Sequence, residues 1–184
     1  MLRLFKPAPL VSKLFRMNVI GLSMFSLLFV CSAATIIAAN ADFKGDWTFN
    51  EQKSKFAEGR FRMNSQKIKV SQEGDALVVE RTSASPNGEN FTSTEKLTFD
   101  GKSAESTAFG NSKKKSTAAW SADGQQMTIN STINVDMNGN QFEIKVVEVW
   151  KLIDGGKSLS VDYTSTSTRG TSTNTFVYDQ NLHN

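Results

Sequence analysis

Cysteine and histidine are almost absent from this sequence, which has one of each. Cys31 lies before the segment that we expect to fold, so the folded part has no disulfide and no thiol nucleophile. His183 is close to the end of the chain, which excludes a histidine-dependent catalytic triad and leaves no cluster of the usual zinc ligands. We therefore expect a protein without a metal, without another cofactor and without enzymatic activity.

Acidic residues are absent from the first 41 positions, where every charge is basic. An apolar stretch from Val19 to Ala39 follows these charges, and the sequence Ala39-Asn40-Ala41 closes it. This order is typical of a secretory signal peptide spanning 1–41, and it predicts cleavage after Ala41 and a secreted or periplasmic protein. Met17 is an alternative start. An uncleaved membrane anchor is a second interpretation, since about 20 apolar residues span a bilayer. Lipid attachment at Cys31 is a third.

Without this leader, the chain has no marked excess of either basic or acidic residues. The whole chain has 21 Lys and Arg against 18 Asp and Glu, and four of the basic residues belong to the leader. We therefore expect no binding to nucleic acid and, after cleavage, no stable insertion into a membrane. The run Lys113-Lys114-Lys115 is interpreted as a solvated turn and strand start rather than a phosphate-binding patch.

Turn signals recur through residues 42–180 at the spacing of one strand plus one turn. Pairs such as Asn87-Gly88, Asp100-Gly101 and Asn138-Gly139 supply the positive φ angles that tight hairpins need. Between the turns, Thr, Val, Ile and Phe alternate with polar residues, which favours strands. The pattern predicts an all-β domain with ten strands at 44–50, 66–72, 76–84, 90–99, 103–109, 113–121, 126–136, 141–153, 158–168 and 171–179.

The short links between these strands predict that each strand pairs with the one before it. A single up-and-down antiparallel β-barrel of about 8–10 strands would hide the apolar face and the strand edges. A two-sheet sandwich is the alternative, although it requires a long crossover late in the chain. Residues 51–65 lack strand alternation and are predicted to form a short helix or an Ω-like loop. Residues 181–184 are predicted to be a loose tail.

Alternation along the strands also predicts what the barrel contains. Trp47, Trp120 and Trp150 fall at one end, where we expect an apolar plug, and small polar residues fall at the other, where residues 51–65 could form a lid. Inward Arg81 and Glu95 would pair or would hold a ligand carboxylate, unless a β-bulge returns them to solvent. The candidate ligand-binding residues are Arg81, Glu95, Ile133, Phe142, Ile144, Tyr163, Ser165, Asn174 and Phe176.

The first and last strands carry a resemblance to a known family. The sequence Gly45-Asp46-Trp47, inside FKGDWTFN, and the closing TFVYDQ resemble the ten-stranded branch of the lipocalin and fatty-acid-binding protein (calycin) superfamily. The pattern W-x-x-N-x-x-K-S-x-F, which is also found in exported bacterial lipocalin-like proteins, is present as Trp47, Asn50, Lys53, Ser54 and Phe56. The resemblance covers the whole predicted domain. It implies a barrel that binds a small hydrophobic or amphipathic molecule.

Several functions are compatible with this interpretation. The first is an exported, monomeric, non-enzymatic protein that binds a small hydrophobic ligand. The second is a structural or interaction protein of the cell envelope, with a filled barrel and the Ser- and Thr-rich hairpin 162–175 as its contact surface. An enzyme would require paired carboxylates such as Glu95 and Glu148, which their spacing does not bring together. An outer-membrane barrel would require an apolar outer band, which the presumed outer faces lack.

Overall fold

The computed structural model describes residues 39–57, 64–84, 89–109, 112–137 and 139–181. Most of the predicted leader, with Cys31, lies outside the described residues, as do 58–63 of the first connection and His183. Among the residues that the structure describes, no helix has the length and apolar character needed to cross a membrane. The strands are β1 Gly45–Lys55, β2 Lys67–Glu73, β3 Ala76–Ala84, β4 Asn90–Leu97, β5 Ala104–Thr107, β6 Lys113–Trp120, β7 Gln126–Met137, β8 Asn140–Ile153, β9 Ser158–Ser167 and β10 Gly170–Gln180.

The ten strands form one antiparallel sheet that rolls into a nearly closed barrel. The strand order is β4-β3-β2-β1-β10-β9-β8-β7-β6-β5, so every hydrogen-bonded pair except β1–β10 joins strands that follow each other in the chain. β4 and β5 are the two ends of the sheet, and no β-ladder joins their described residues. The prediction of a single up-and-down all-β barrel is confirmed. The sandwich alternative is wrong, because all ten strands belong to one sheet.

Alternating burial shows why these residues form strands with one inner and one outer face. In β7, Met127, Ile129 and Ser131 are buried, whereas the residue between the last two, Asn130, is exposed. A two-residue period of this kind places all the apolar side chains on one face of a strand. Where the chain reverses between β2 and β3, Gly74 has a φ of 59°, a left-handed conformation that glycine adopts without strain.

Residues 51–55 correct a prediction, because they extend β1 instead of starting a helix or loop. The pairing with β10 is irregular here, since Asn50 pairs with Val177 and Lys55 pairs with Thr175. Asn50 Oδ1 accepts a hydrogen bond from Lys53 N at 3.1 Å, and Ser54 Oγ donates to Asn50 O at 2.6 Å and accepts from Val177 N at 2.9 Å. This bulge takes the residues out of strict alternation, which is why the sequence pattern did not indicate a strand.

The same bulge carries a polar clasp on the outer side of the barrel. Lys53 Nζ lies 2.8 Å from Asp179 Oδ1 and 3.3 Å from Asp154 Oδ2, and Asn50 Nδ2 donates to Asp179 Oδ2 at 2.7 Å. Ser158 Oγ lies 2.8 Å from Asp179 Oδ1. The clasp therefore ties β1 and β10 to the β8–β9 turn. Three positions of the W-x-x-N-x-x-K-S-x-F pattern therefore have structural roles, since Asn50 and Lys53 form the clasp and Ser54 holds the bulge.

The clasp predicts a specific loss of stability in acid. Hydrogen bonds from Lys53 and Asn50 lower the pKa of Asp179 to about 2. A carboxyl whose folded pKa is depressed stabilises the protein above its unfolded pKa, and this contribution is lost as the pH falls through the folded value. Asp179→Asn should therefore reduce the slope of unfolding free energy against pH between about 4 and 2, measured by urea unfolding.

A matched control for this variant is Asp75→Asn. Asp75 is exposed in the turn between β2 and β3, and its side chain forms no ion pair or hydrogen bond with the described residues. Its replacement should leave the acid slope as it is in the unmodified protein. If the unfolding free energy of Asp179→Asn falls as steeply below about pH 4 as that of Asp75→Asn and of the unmodified protein, the role given to the clasp is contradicted.

Candidate functional site: the barrel interior

One end of the barrel is closed by aromatic side chains. Trp47, Trp150 and Phe43 are fully buried, and Trp120 packs against them while remaining partly exposed. Trp47 Nε1 donates a hydrogen bond to the Phe43 carbonyl at 2.9 Å. The Phe43 ring stacks on Trp120 at 5.6 Å between ring centres and meets Trp150 edge-on at 5.9 Å. The three predicted tryptophans thus lie in one cluster, whose centre is a residue that the prediction omitted, Phe43.

At the opposite end of the barrel, the described residues cover the inner face less completely. The inward positions of β8, β9 and β10 at this end are only half-buried, namely Phe142, Ile144, Tyr163, Ser165 and Asn174. Deeper in, Ile133, Val135 and Val146 form a small buried cluster that Ile144 and Tyr163 pack against. Within the described residues, the tryptophan end is therefore the closed base of the barrel, and the opposite end, which we call the mouth, is less tightly covered.

The start of the first connection lies at this mouth. Phe56 packs against Phe49 at 6.3 Å and Phe176 at 6.2 Å between ring centres. Ala57 N donates a hydrogen bond to Asn174 Oδ1 at 2.9 Å. The predicted lid position is therefore occupied at least by Phe56 and Ala57, while residues 58–63 lie outside the described part of the chain.

Four charged side chains meet between the base and the mouth. Arg81 Nη2 lies 3.0 Å from Glu148 Oε2 and 3.4 Å from Glu95 Oε1, and Lys114 Nζ lies 3.0 Å from the same Glu95 oxygen. The Arg81 side chain keeps 13% of its surface exposed, more than any of the other three. We call this group the charge network. It contains two cations and two carboxylates.

Neighbouring residues hold the charge network in place. Trp150 Nε1 donates to Glu148 Oε2 at 2.8 Å, and the Arg81 guanidinium lies 5.1 Å from the centre of the Trp150 ring. Ser116 Oγ donates to Glu95 Oε2 at 2.9 Å. Arg81 Nε is buried and has no hydrogen-bond acceptor within the described ranges. The network is therefore anchored on the aromatic base and has one donor left over.

The electrostatics favour the charged forms of Arg81 and Glu95 and the neutral forms of the nearby tyrosines. Burial disfavours the charge of Arg81, but Glu148 and then Glu95 outweigh it and raise the Arg81 pKa above its ordinary value. Burial likewise opposes the Glu95 carboxylate, but Lys114 and Arg81 lower its pKa below the usual range. Burial raises the pKa of both Tyr163 and Tyr178 above the ordinary value. At neutral pH the two tyrosines therefore carry no charge.

Two predictions about this region are wrong. The run 113–115 was expected to be a solvated turn and strand start. β6 does begin at Lys113, but Lys114 is buried and paired with Glu95. The alternation that places Ser116 and Ala118 inside was the signal that could have placed Lys114 inside as well. Glu95 and Glu148 were not expected to come together, but both contact Arg81. The bulge that would have turned Arg81 and Glu95 outward is absent, since β3 and β4 pair in regular register throughout their described lengths.

The predicted pocket residues are distributed over this interior. Arg81 and Glu95 belong to the charge network, and Tyr163 lies against Phe176 at 5.5 Å between ring centres. The others lie towards the mouth. Two grooves of about 390 and 320 Å³ involve outward-pointing residues such as Lys67 and Lys145, and neither contains any of the nine predicted pocket residues. The described residues contain no group of His, Cys, Asp and Glu that could hold a metal.

The fold and the interior together define a ten-stranded, nearly closed antiparallel barrel with a charged centre. No protein-family model and no curated protein matches the chain. Among solved structures, the chain is similar to zebrafish ileal bile acid-binding protein complexed with cholic acid. The TM-score is 0.49 and the identity 18%, over 76% of this chain and 98% of that one. No functional conclusion follows from a similarity this low.

Proposed function

We propose that this chain is an exported, non-enzymatic protein that binds a small hydrophobic or amphipathic molecule in the mouth of its barrel. The charge network carries the proposal. Replacing buried ion pairs with well-packed apolar residues is often neutral or stabilising, so such a network is weak support for a purely structural role. Buried charges beneath an accessible opening are instead typical of a site that recognises a polar group.

The mouth supplies the apolar surface that such a ligand needs. Ile133 and Phe176 are buried near its floor, and Phe142 and Ile144 are half-buried on β8. Tyr163 connects this surface with the charge network, because it pairs with Glu148 across β8 and β9 and contacts Phe176. An amphipathic molecule could therefore place its apolar body against these walls and its polar end towards Arg81.

Two further parts of the proposal rest on other observations. Export is supported by the order of the first 41 residues, in which basic residues are followed by an apolar stretch and then by Ala39-Asn40-Ala41. The pairing of both interior carboxylates with cations supports a binding role over catalysis, since Glu95 and Glu148 are each engaged by Arg81. Lys114 and Arg81 outweigh burial and lower the pKa of Glu95, so its carboxylate binds a proton weakly and is a poor general base.

The second candidate is a filled barrel that acts as a structural or interaction protein of the envelope. It is favoured by the ordered threonine pairs on the outer face of the β9–β10 hairpin. Thr164 and Thr173 hydroxyls lie 3.3 Å apart, and those of Thr166 and Thr171 lie 3.1 Å apart. These pairs give the hairpin a regular polar surface, although they do not explain the charge network.

The experiment that separates the two candidates measures binding of Nile red, a neutral apolar dye. The sample is the full chain purified from its own host, after any processing that occurs there. Binding should be saturable, and native mass spectrometry of protein from its own host should show a co-purifying lipid-like mass. Ile144→Trp fills the mouth and should weaken dye binding by about tenfold or more, which corresponds to about 1.4 kcal/mol.

Val147→Trp is the matched control, because Val147 lies on the same strand but is exposed on the outer face. It should bind the dye as the unmodified protein does. If mass spectrometry shows the chain without a bound ligand and the chain also binds no dye, the binding function is overturned. The structural or interaction role with a filled barrel then remains.

A further inference from the structure

We infer that the mouth of this barrel selects a ligand whose polar end is an uncharged hydroxyl or amide, in preference to a carboxylate or an amine. The inference rests on the proposed binding function and names the class of its ligand. The observation that carries it is the charge balance of the network, in which Arg81 and Lys114 face Glu95 and Glu148.

Positive and negative charges are also equal in number over the described interior as a whole. Tyr163 and Tyr178 reach into the same region but are uncharged at neutral pH. The lysines next to Lys114 in the sequence point to the outside, where Lys113 is exposed and Lys115 pairs with Glu105 at 2.9 Å. The described interior thus offers no surplus positive charge to a carboxylate and no surplus negative charge to an amine.

A charged ligand would therefore have to disturb the network. A carboxylate beside Arg81 would add a buried negative charge next to Glu148 and Glu95, and a glutamate that it displaced would remain buried without its cation. An amine would in the same way separate a glutamate from Arg81 or Lys114. A hydroxyl or amide needs only hydrogen bonds, and it leaves all three ion contacts as they are.

The network also has a hydrogen-bond donor that an uncharged ligand can use. Arg81 Nε is buried and lacks an acceptor among the described residues, and the same holds for the hydroxyl of Ser172 on β10. A buried donor without an acceptor is uncommon in native proteins and calls for a partner. The oxygen of an alcohol or an amide would supply the acceptor without adding charge. The mouth and the network together therefore fit an apolar body that ends in one neutral polar group.

The test compares decanol, decanoate and decylamine, which share one alkyl chain and differ in the charge of the end group. Each is used to displace Nile red from the processed full chain near neutral pH. The unmodified protein should bind decanol at least about tenfold more tightly than either charged compound. Equal affinities, or a preference for decanoate or decylamine, would overturn the inference.

Removing one charge from the network should change this preference in a defined direction. Glu148→Gln leaves one positive charge in excess, and it should tighten decanoate binding by about tenfold relative to the unmodified protein. Lys114→Met leaves one negative charge in excess and should tighten decylamine binding instead. Glu143→Gln is the matched control, because Glu143 is exposed on the same strand as Glu148 and pairs with Lys145.

The outcomes separate this inference from the proposed function. Binding of decanoate in preference to decanol by the unmodified protein would remove the inference and keep the binding function. An unchanged preference in a folded Glu148→Gln or Lys114→Met variant would also contradict the inference. If neither variant folds, the ranking of the three compounds by the unmodified protein decides. Failure of all three compounds and of Nile red to bind would remove both proposals.

Discussion

Replacing Arg81 with Met is expected to lower the free energy of unfolding by about 3–5 kcal/mol. Arg81 contacts both interior carboxylates, so its removal leaves Glu148 without a cation and Glu95 with Lys114 alone. A buried charge that loses its partner costs more than the lost attraction, because its hydration is not restored. Urea unfolding followed by tryptophan fluorescence measures the change, since Trp150 lies directly beside Arg81.

Two controls show whether burial causes this loss. Lys151→Met removes a partly exposed ion pair with Asp162, 3.2 Å away, and should cost less than about 1 kcal/mol. Replacing all four charges of the network with neutral residues of similar size should give a protein more stable than Arg81→Met alone, because no unpaired charge is left. An Arg81→Met protein as stable as Lys151→Met would contradict the buried network.

Replacing Trp47 with Ala is expected to lower the free energy of unfolding by a similar amount, about 3–5 kcal/mol. The Trp47 side chain is fully buried at the base, and its loss would leave a cavity among Phe43 and the neighbouring core residues. It would also leave the Phe43 carbonyl without the donor that Trp47 Nε1 provides. Urea unfolding measures the loss, and Nile red binding should change little because the dye enters at the opposite end.

Trp120→Ala is the comparison for this variant. Trp120 stacks on Phe43 and Phe99 but is partly exposed, so it has less surface to lose. Its replacement should cost clearly less than that of Trp47, on the order of half. If Trp47→Ala were nearly neutral, the aromatic base could not be a structural plug.

The barrel itself could be predicted from local sequence because its signals are local. A strand shows its inner face by a two-residue period, and a hairpin shows its turn by Asn-Gly or Asp-Gly. Short hairpins then leave little choice of topology. The bulge in β1 could not be predicted in this way, because Ser54 is held by Val177, which is far away in the sequence.

The charge network shows the limit of the same reasoning for the site. Alternation placed Arg81 and Glu95 inside, and the same alternation along β8 and β6 places Glu148 and Lys114 there as well. It could not show that they touch, because Arg81 and Glu148 are 67 positions apart and lie on strands that are not neighbours in the sheet. Contact across a barrel depends on the diameter of the barrel and on the tilt of its strands. Neither quantity can be predicted from the sequence of a single strand.

The missing ladder between β4 and β5 gives this barrel a preferred place to open. Every other neighbouring pair of strands must break a row of backbone hydrogen bonds to separate, whereas no such row joins β4 and β5 within the described part of the chain. β5 is also the shortest strand, with four residues and a single hydrogen-bonded neighbour. Local fluctuations with the lowest free energy should therefore begin at this seam. The barrel can widen there by separation of β4 from β5, while the clasp keeps β1 and β10 together on the opposite side.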